Sequence, residues 1–282
     1  MNENFQIKAL QIFIVIILVG GAIYGVSSYS PTPSTPAVPS TPATHPSTPA
    51  SSTPAPDSSA KLSIAEIVKE WSPRTALVYC FWESNSGQPY LTEQGSGLFT
   101  IDHLGTKNIP TIVTNKHVVD STQYGQATMC SASIPGETEL FVNTSLPEQN
   151  IPNGLYLDST YDVAMIFDAS YSGKLYDSYR ACTPKEIETG DKIVILGYPD
   201  YGGIQPPFNP SPTVTEGIIS GKDDIYYTTS AKMDPGNSGG VAIEEKNDCY
   251  IGIPTSSYIG EMDSLGRILP VSTFAPDITT IY

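Results

Sequence analysis

The sequence predicts an all-β protein built from two six-stranded antiparallel β-barrels. Its 282 residues include 23 Gly, 25 Pro and 17 Tyr but only 8 Phe, and long Ala-, Glu- and Lys-rich stretches are missing; this balance favours strands and turns over helices. Twelve short apolar runs, separated by turn residues, supply two sets of six strands. The runs lie at residues 75–82, 95–102, 111–119, 127–134, 139–143 and 162–168, and then at 192–199, 214–221, 224–231, 239–245, 250–256 and 267–272.

An apolar segment opens the chain. Residues 9–26 carry no charge and are long enough to span a bilayer as a helix. Because Lys8 precedes this segment and the next basic residue is Lys61, residues 1–8 are predicted to stay in the cytoplasm while the rest of the chain is exported. The sequence thus predicts a single-pass membrane protein with a transmembrane signal-anchor. A signal peptide cleaved near V-S-S at 26–28, which would leave a secreted protein, is the alternative.

A linker and a folded domain follow this segment. Residues 27–60 are rich in Pro, Ser and Thr and have no hydrophobic periodicity, which predicts a disordered stalk. The folded domain is predicted over residues 61–282. A short helix should open it, because Ser63 and Glu66 form a capping box ahead of an apolar stripe, and this helix should stop at Ser72-Pro73.

Net charge and cysteine spacing argue against two classes of function. The net charge of −15 argues against nucleic acid as a partner, since phosphates are bound through clustered Lys and Arg. Cys80, Cys130, Cys182 and Cys249 lie far apart without a C-x-x-C pair, so no metal site and no cofactor are predicted. An even number of cysteines permits disulfides in an exported protein, and four buried free thiols are the alternative.

A glycine-rich turn at residues 233–240, MDPGNSGG, carries the strongest chemical signal. It places Ser238 where small neighbours permit a tight backbone. The N–H groups of Gly236 and Ser238 could converge on one oxygen, as the stabilisation of an oxyanion requires. A plain hairpin turn is the alternative, so the turn gains weight only from a base and a carboxylate elsewhere in the chain.

His117 is the candidate base. It is predicted at the end of the hydrophobic strand TIVTNKHVV, beside the seam between the barrels, where a neutral imidazole can accept a proton. His103 competes with it in the folded region but is predicted to lie in a surface turn. The sequence therefore favours His117.

Asp162 is the candidate carboxylate that orients this base. It stands at the mouth of the apolar strand DVAMIFD, where a partly buried carboxylate needs a partner such as an imidazole N–H. Asp120, Asp158 and Asp168 are alternatives, but none of them is followed directly by an inward-facing apolar run.

These motifs together resemble a known family. T-N-K-H-V-V, D-V-A and P-G-N-S-G-G, in this order, are similar to the signatures of trypsin-like serine proteases of the HtrA (Deg) branch, and the likeness extends over about residues 63–275. It implies a chymotrypsin-like double barrel and a serine endopeptidase that acts on proteins or peptides without a cofactor. It also implies a triad of His117, Asp162 and Ser238.

The resemblance has further implications. A PDZ domain, which HtrA proteins usually carry, is not expected after residue 275. Since neighbouring strands of the implied first barrel bring Cys80 and Cys130 together, these two cysteines could pair and leave Cys182 with Cys249. Asn237 stands where digestive trypsins have the aspartate used in their activation, so activation of that kind is not expected.

Lys232 is the candidate residue of the substrate pocket. It lies six positions before Ser238, where trypsin-like proteases place the floor of the pocket for the side chain that precedes the cut. An ammonium group there would favour Glu or Asp in the substrate. The alternative is that Lys232 bends into solvent or pairs with Asp234, leaving an apolar pocket.

Two other functions compete with peptide hydrolysis. A catalytically silent, protease-fold module that binds peptides is one, and the complete set of catalytic residues argues against it. An esterase of another fold is the other, and it would require a G-x-S-x-G elbow that this sequence lacks.

Overall fold

A computed structural model describes most of the predicted folded domain and none of the segments before it. The predicted cytoplasmic residues, the anchor at 9–26 and the linker at 27–60 lie outside the described residues, as does most of the Pro-rich stretch at 200–212. In the part of the chain that the model covers, no helix has both the length and the apolar character needed to cross a bilayer. The described residues are 62–83, 86, 89–104, 107–136, 140–143, 153–168, 171–174, 176, 179–200, 211–259, 264–275 and 280–281.

Helix α1, Ile64–Trp71, opens the domain and confirms the predicted capping box. The Ser63 hydroxyl accepts a hydrogen bond from Glu66 N–H at 3.3 Å, and the Glu66 carboxylate accepts one from Ser63 N–H at 2.8 Å. A 3-10 turn at Ser72–Arg74 ends the helix, because Pro73 cannot continue the hydrogen-bond pattern. Trp71 is fully buried, and its indole N–H donates to Asp248 at 3.1 Å, so the helix is fastened to the second half of the domain.

The first half of the domain is a curled, seven-stranded antiparallel sheet in the order β7-β6-β1-β2-β3-β9-β8. Its edge strands β7 and β8 approach within 8 Å between Cα atoms, but they form no ladder in the described residues. The strands are β1 Thr75–Glu83, β2 Pro89–Leu104, β3 Lys107–Thr114, β6 Met129–Ser133, β7 Leu140–Asn143, β8 Asn153–Leu157 and β9 Ala164–Asp168, with a small separate hairpin of β4 Asp120–Ser121 and β5 Gly125–Gln126.

The prediction of a closed six-stranded first barrel is therefore wrong in two respects. The sheet is a half-barrel, and it has a strand, β8, that the sequence did not indicate. This strand begins with Asn153-Gly154, residue types that are depleted in strands, so only three apolar residues remain as a signal. The prediction for His103 is also wrong. Its backbone lies within β2, paired with Asn108 of β3, and not in a turn.

The second half is a closed barrel of six antiparallel strands, as predicted, in the order β11-β12-β13-β16-β15-β14. A short helix, α3 Val271–Phe274, follows the last barrel strand, and a two-stranded pair of β10 Tyr179–Arg180 and β17 Thr280–Ile281 lies outside the barrel. The barrel strands are β11 Lys192–Gly197, β12 Thr213–Lys222, β13 Tyr227–Thr229, β14 Val241–Glu244, β15 Cys249–Ile259 and β16 Ser264–Pro270.

Three buried apolar clusters support this architecture. One fills the curled sheet, a second fills part of the closed barrel, and the third joins the two halves. The joining cluster contains Leu98 and Val113 from the sheet, Leu196 and Val241 from the barrel, and Trp71 from α1. Because this cluster is continuous, loops of both halves are held against each other at the seam.

Two disulfides are present, which confirms the implied pairing. Cys80 of β1 lies directly opposite Cys130 of β6, and the two are bonded. Cys182 and Cys249 form the second disulfide, in the other half of the domain. The alternative of four free thiols is therefore wrong for this structure.

Candidate active site

His117 lies on a single helical turn at the seam, α2 Lys116–Val119, which directly follows β3. The prediction that it ends a strand is therefore wrong by a few residues. The chain leaves β3 at Thr114, and Val118 and Val119 turn inward to join the core of the curled sheet. Burial of these two valines leaves the imidazole of His117 half exposed, at 50%, on the opposite side of the turn.

Asp162 lies just before β9 and faces His117. His117 Nδ1 is 2.8 Å from Asp162 Oδ2, and the His117 backbone N–H donates to Asp162 Oδ1 at 3.0 Å. The neighbouring Asp158 has a different role, because its carboxylate accepts backbone N–H groups of Thr160 and Tyr161 and shapes the turn. Asp162 is thus the carboxylate that the structure brings to the imidazole.

The contacts of Asp162 favour its charged form. Burial by itself would raise the pKa of Asp162, but the hydrogen bonds from the side chain and backbone of His117, and its electrostatic interaction with the imidazole, act in the opposite direction. A further hydrogen bond from the Thr255 hydroxyl, at 2.7 Å, also lowers this pKa. The net effect holds the pKa of Asp162 below its usual range, so the group is a carboxylate at neutral pH.

Thr255 and Asn115 form a second layer behind this pair that the sequence analysis did not assign. Asn115 Nδ2 donates to the backbone carbonyl of Asp162 and to Thr255 Oγ1, both at 2.8 Å. Asn115 belongs to the T-N-K-H-V-V motif, so the sequence did contain a signal that could have identified it. Thr255 lies on β15, 93 positions after Asp162, and no motif marked it.

Ser238 lies in a turn between β13 and β14 whose backbone only glycine can follow. Gly236 and Gly239 have φ values of +92° and +88°. A Cβ atom on Gly236 would lie 2.5 Å from the carbonyl oxygen of Tyr198, and one on Gly239 would lie 2.0 Å from that of Ser96. The glycines are therefore required by geometry, and an ordinary hairpin turn does not describe this segment.

Ser96 of β2 fastens this turn to the curled sheet. Its N–H donates to the Ser238 carbonyl at 2.8 Å, and its hydroxyl donates to the Gly236 carbonyl at 2.7 Å. The Pro235 carbonyl accepts from Asp200 N–H at 2.6 Å. Since C=O and N–H of a trans peptide point in opposite directions, the Gly236 N–H is directed away from Asp200. Among the described residues, the N–H groups of Gly236 and Ser238 have no hydrogen-bond partner.

His117, Asp162 and Ser238 line one cleft of about 410 Å³. The Ser238 hydroxyl is 3.5 Å from the Thr255 carbonyl oxygen, the contact that the structure gives it. The remaining lining residues are Tyr226, Met233, Asp234, Pro235 and Thr255. The cleft thus combines polar side chains with the apolar or aromatic surfaces of Tyr226, Met233 and Pro235.

Lys232 does not line this cleft. Its side chain is 72% exposed, and its ammonium group pairs with Asp234 at 2.9 Å. This is the alternative arrangement, in which Lys232 pairs with Asp234 and does not form part of the substrate pocket. Met233, the next residue, is buried and reaches the cleft instead.

No group of acidic, histidine or cysteine side chains within the described ranges is arranged to hold a metal ion.

A closed six-stranded barrel beside a curled antiparallel sheet, with the candidate residues at their seam, is an all-β chymotrypsin-like fold. The model of the trypsin-like peptidase domain matches residues 95–253, more than half of the chain, and the chain belongs to this family. The comparison with curated proteins finds no match. Because the family is one of peptidases, membership supports peptidase (hydrolase) activity and implies proteins or peptides as substrates.

Proposed function

We propose that this protein is a serine endopeptidase in which Ser238 is the nucleophile, His117 the general base and Asp162 the carboxylate that orients it. The 2.8 Å contact between His117 Nδ1 and Asp162 Oδ2, with Ser238 in the same cleft, is the observation that carries the proposal. A carboxylate at Nδ1 keeps the proton on that nitrogen and leaves Nε2 free to accept another.

The first step is the formation of an acyl-enzyme. The Ser238 hydroxyl turns from the Thr255 carbonyl towards His117 Nε2 and gives up its proton as Oγ attacks the substrate carbonyl carbon. The resulting oxyanion is stabilised by the N–H groups of Gly236 and Ser238, which we assign as the oxyanion hole because they are otherwise unpaired among the described residues. The imidazolium then gives its proton to the leaving amine, and the C–N bond breaks.

Water completes the reaction. It attacks the acyl carbon while His117 accepts its proton. The second tetrahedral intermediate then collapses: the bond from the acyl carbon to Ser238 Oγ breaks, the imidazolium returns its proton to Oγ, and the carboxylic acid is released. Asp162 stays ionised during both acylation and deacylation, in agreement with the lowered pKa of this group.

The second candidate function is a silent peptide-binding module. The observation that favours it is the Ser238 hydroxyl, which contacts the Thr255 carbonyl rather than His117. Hydrogen bonds of an empty catalytic site are often long or misaligned, however, so this contact does not exclude catalysis.

Two finer assignments rest on the sequence. The T-N-K-H-V-V and P-G-N-S-G-G segments support a place near the HtrA branch. The apolar segment 9–26 and the Pro/Ser/Thr-rich residues 27–60 support a protease displayed outside a membrane on a stalk. Two disulfides agree with an oxidising compartment.

A labelling experiment tests the proposed function. The full chain in detergent is treated with a fluorophosphonate probe and assayed on a peptide mixture, beside Ser238→Ala and the control Ser220→Ala, which replaces an exposed serine on β12. We expect labelling and hydrolysis by the wild type and Ser220→Ala and neither by Ser238→Ala. Unchanged hydrolysis by Ser238→Ala would refute the assignment of the nucleophile, and peptide binding without labelling would favour the silent module.

A further inference from the structure

Asn115 contacts the site through its amide nitrogen alone. The side chain is fully buried, and Nδ2 lies 2.8 Å from two oxygens, the backbone carbonyl of Asp162 and Oγ1 of Thr255. The carbonyl of Asp162 can only accept a hydrogen bond, so the NH₂ group, and not Oδ1, must face it. The orientation of the amide is therefore determined by its chemistry.

This orientation determines the hydroxyl of Thr255 as well. A threonine hydroxyl has a single hydrogen, and the oxygen accepts from Asn115. Its own hydrogen is then directed at the next acceptor within reach, Asp162 Oδ2 at 2.7 Å. A chain of donors thus runs from Asn115 through Thr255 to the carboxylate that holds His117.

Helix capping does not account for Asn115. The residue occupies the N-cap position of α2, but its side chain caps no N–H of that helix. Asn115 Oδ1 is buried without a hydrogen-bond partner in the described part of the chain. An unpaired buried oxygen costs stability, and the amide offsets this cost only through the hydrogen bonds that its nitrogen donates. The donated hydrogen bonds are what an apolar side chain would lack.

We infer that Asn115 is a positioning residue that aligns Asp162 twice, through its backbone carbonyl and through the Thr255 hydroxyl. This inference rests on the proposed function, because it matters only if Asp162 orients the base. Asn115 touches no substrate atom; it acts through Thr255 and Asp162 on the direction of His117.

Four variants of the full chain test the inference. Asn115→Leu keeps the size of the side chain and removes both donors, Asn115→Ala removes the whole amide, and Thr255→Val removes the hydroxyl. Thr111→Val is the matched control, because it removes a buried hydroxyl of β3 that donates to Ile109 and has no recorded contact with the site. Each variant is measured for kcat, KM and thermal stability, and for the NMR signal of the Nδ1 proton of His117.

We expect kcat to fall about tenfold or more in both Asn115 variants, with KM unchanged, since outer partners of a site act on its geometry rather than on substrate binding. The loss of kcat in Asn115→Leu should be measured well below its melting temperature, where the variant is fully folded, a separation that a purely structural residue would not give. The double variant Asn115→Leu/Thr255→Val should lose no more than the worse single variant. The His117 proton signal should move in the Asn115 and Thr255 variants and stay in Thr111→Val.

Three results would overturn the inference: a wild-type kcat in Asn115→Leu, losses that multiply in the double variant, or loss of the folded state in both Asn115 variants. Ser238→Ala is assayed in parallel and keeps the two proposals apart. Turnover by Ser238→Ala refutes the proposed function, whereas normal turnover by Asn115→Leu with an inactive Ser238→Ala refutes the positioning role alone.

Discussion

The contacts of Asp162 with His117 predict what replacing its carboxylate should do to catalysis. Asp162→Asn keeps the shape of the side chain, but an amide nitrogen turned towards His117 would force the ring proton onto Nε2, where the base must be free. We expect kcat to fall about 10⁴-fold with little change in KM. Steady-state kinetics on a peptide substrate checks this. A loss below tenfold would mean that the carboxylate does not orient the base.

The lowered pKa of Asp162 also predicts how stability depends on pH. A carboxyl group whose pKa is lower in the folded than in the unfolded state stabilises the fold above its unfolded pKa, about 3.9, and this contribution is lost as pH falls through the folded value. Urea unfolding of the wild type and of Asp162→Asn should show a difference in unfolding free energy at about pH 5 that shrinks below about pH 4. A difference that grows below about pH 4 would contradict the direction of the pKa change.

Lys232 should not select the substrate. A largely exposed pair such as Lys232 with Asp234 contributes little and leaves the ammonium group in water, while Met233 and Tyr226 line the cleft. We expect a peptide library to show cleavage after apolar residues, and the same preference in Lys232→Ala and in the exposed control Lys222→Ala. Cleavage after Glu or Asp that disappears only in Lys232→Ala would restore the acidic-selector hypothesis.

The sequence was most informative where chemistry imposes residue types. A serine in a glycine-constrained turn, a histidine after an apolar strand and an aspartate before another could be recognised as Ser238, His117 and Asp162, and the structure brings all three to one cleft. Thr255 could not be recognised, because a threonine on a strand carries no signal until folding places it 2.7 Å from Asp162. Lys232 shows the converse: sequence position suggested a pocket, but the direction of a long side chain depends on its neighbours.

Among the secondary-structure elements, helix α1 offers a prediction that separates stability from catalysis. Ser63→Ala removes the side-chain acceptor of the capping box and should lower the free energy of unfolding by about 1 kcal/mol. Because α1 packs on the joining cluster and contributes nothing to the cleft, kcat should not change. Chemical denaturation and kinetics measure both, with Ser63→Thr as the control that keeps the cap. A stability loss of equal size in Ser63→Thr would show that the cap is not responsible.

The helices and strands that could be predicted are those marked by short, local sequence patterns. The capping box marked α1 correctly, and alternating or continuous apolar runs marked the six strands of the closed barrel. The helical turn α2 was missed because Val118 and Val119 continue the apolar run of β3, and only their burial in the core of the curled sheet shows that the chain has already turned. Strand β8 was missed because it pairs with β9 over a sequence too short and too polar to stand out.

At the scale of the whole molecule, the candidate site depends on two halves of the domain. Each half has its own stabilising contacts, and one apolar cluster joins them. Each half has its own apolar cluster and its own disulfide, closing separations of 50 and 67 residues. Neither disulfide links the two halves, but the joining cluster and the Ser96 contacts hold the Ser238 turn against the curled sheet. The contacts between the two halves could not be predicted from local sequence patterns, because they form only once both halves have folded.

The arrangement of the full chain about a membrane provides the last prediction. If residues 9–26 are an uncleaved anchor with residues 1–8 in the cytoplasm, a cysteine at position 52 of the linker lies outside the cell and one at position 4 lies inside. We expect a membrane-impermeant maleimide to label Ser52→Cys but not Asn4→Cys in intact cells, and both after lysis. The four native cysteines are paired and should not react. Deletion of residues 9–26 should abolish membrane association. Labelling of Asn4→Cys alone would reverse the orientation, and a shortened Ser52→Cys chain in the medium would show that the segment is a cleaved signal peptide.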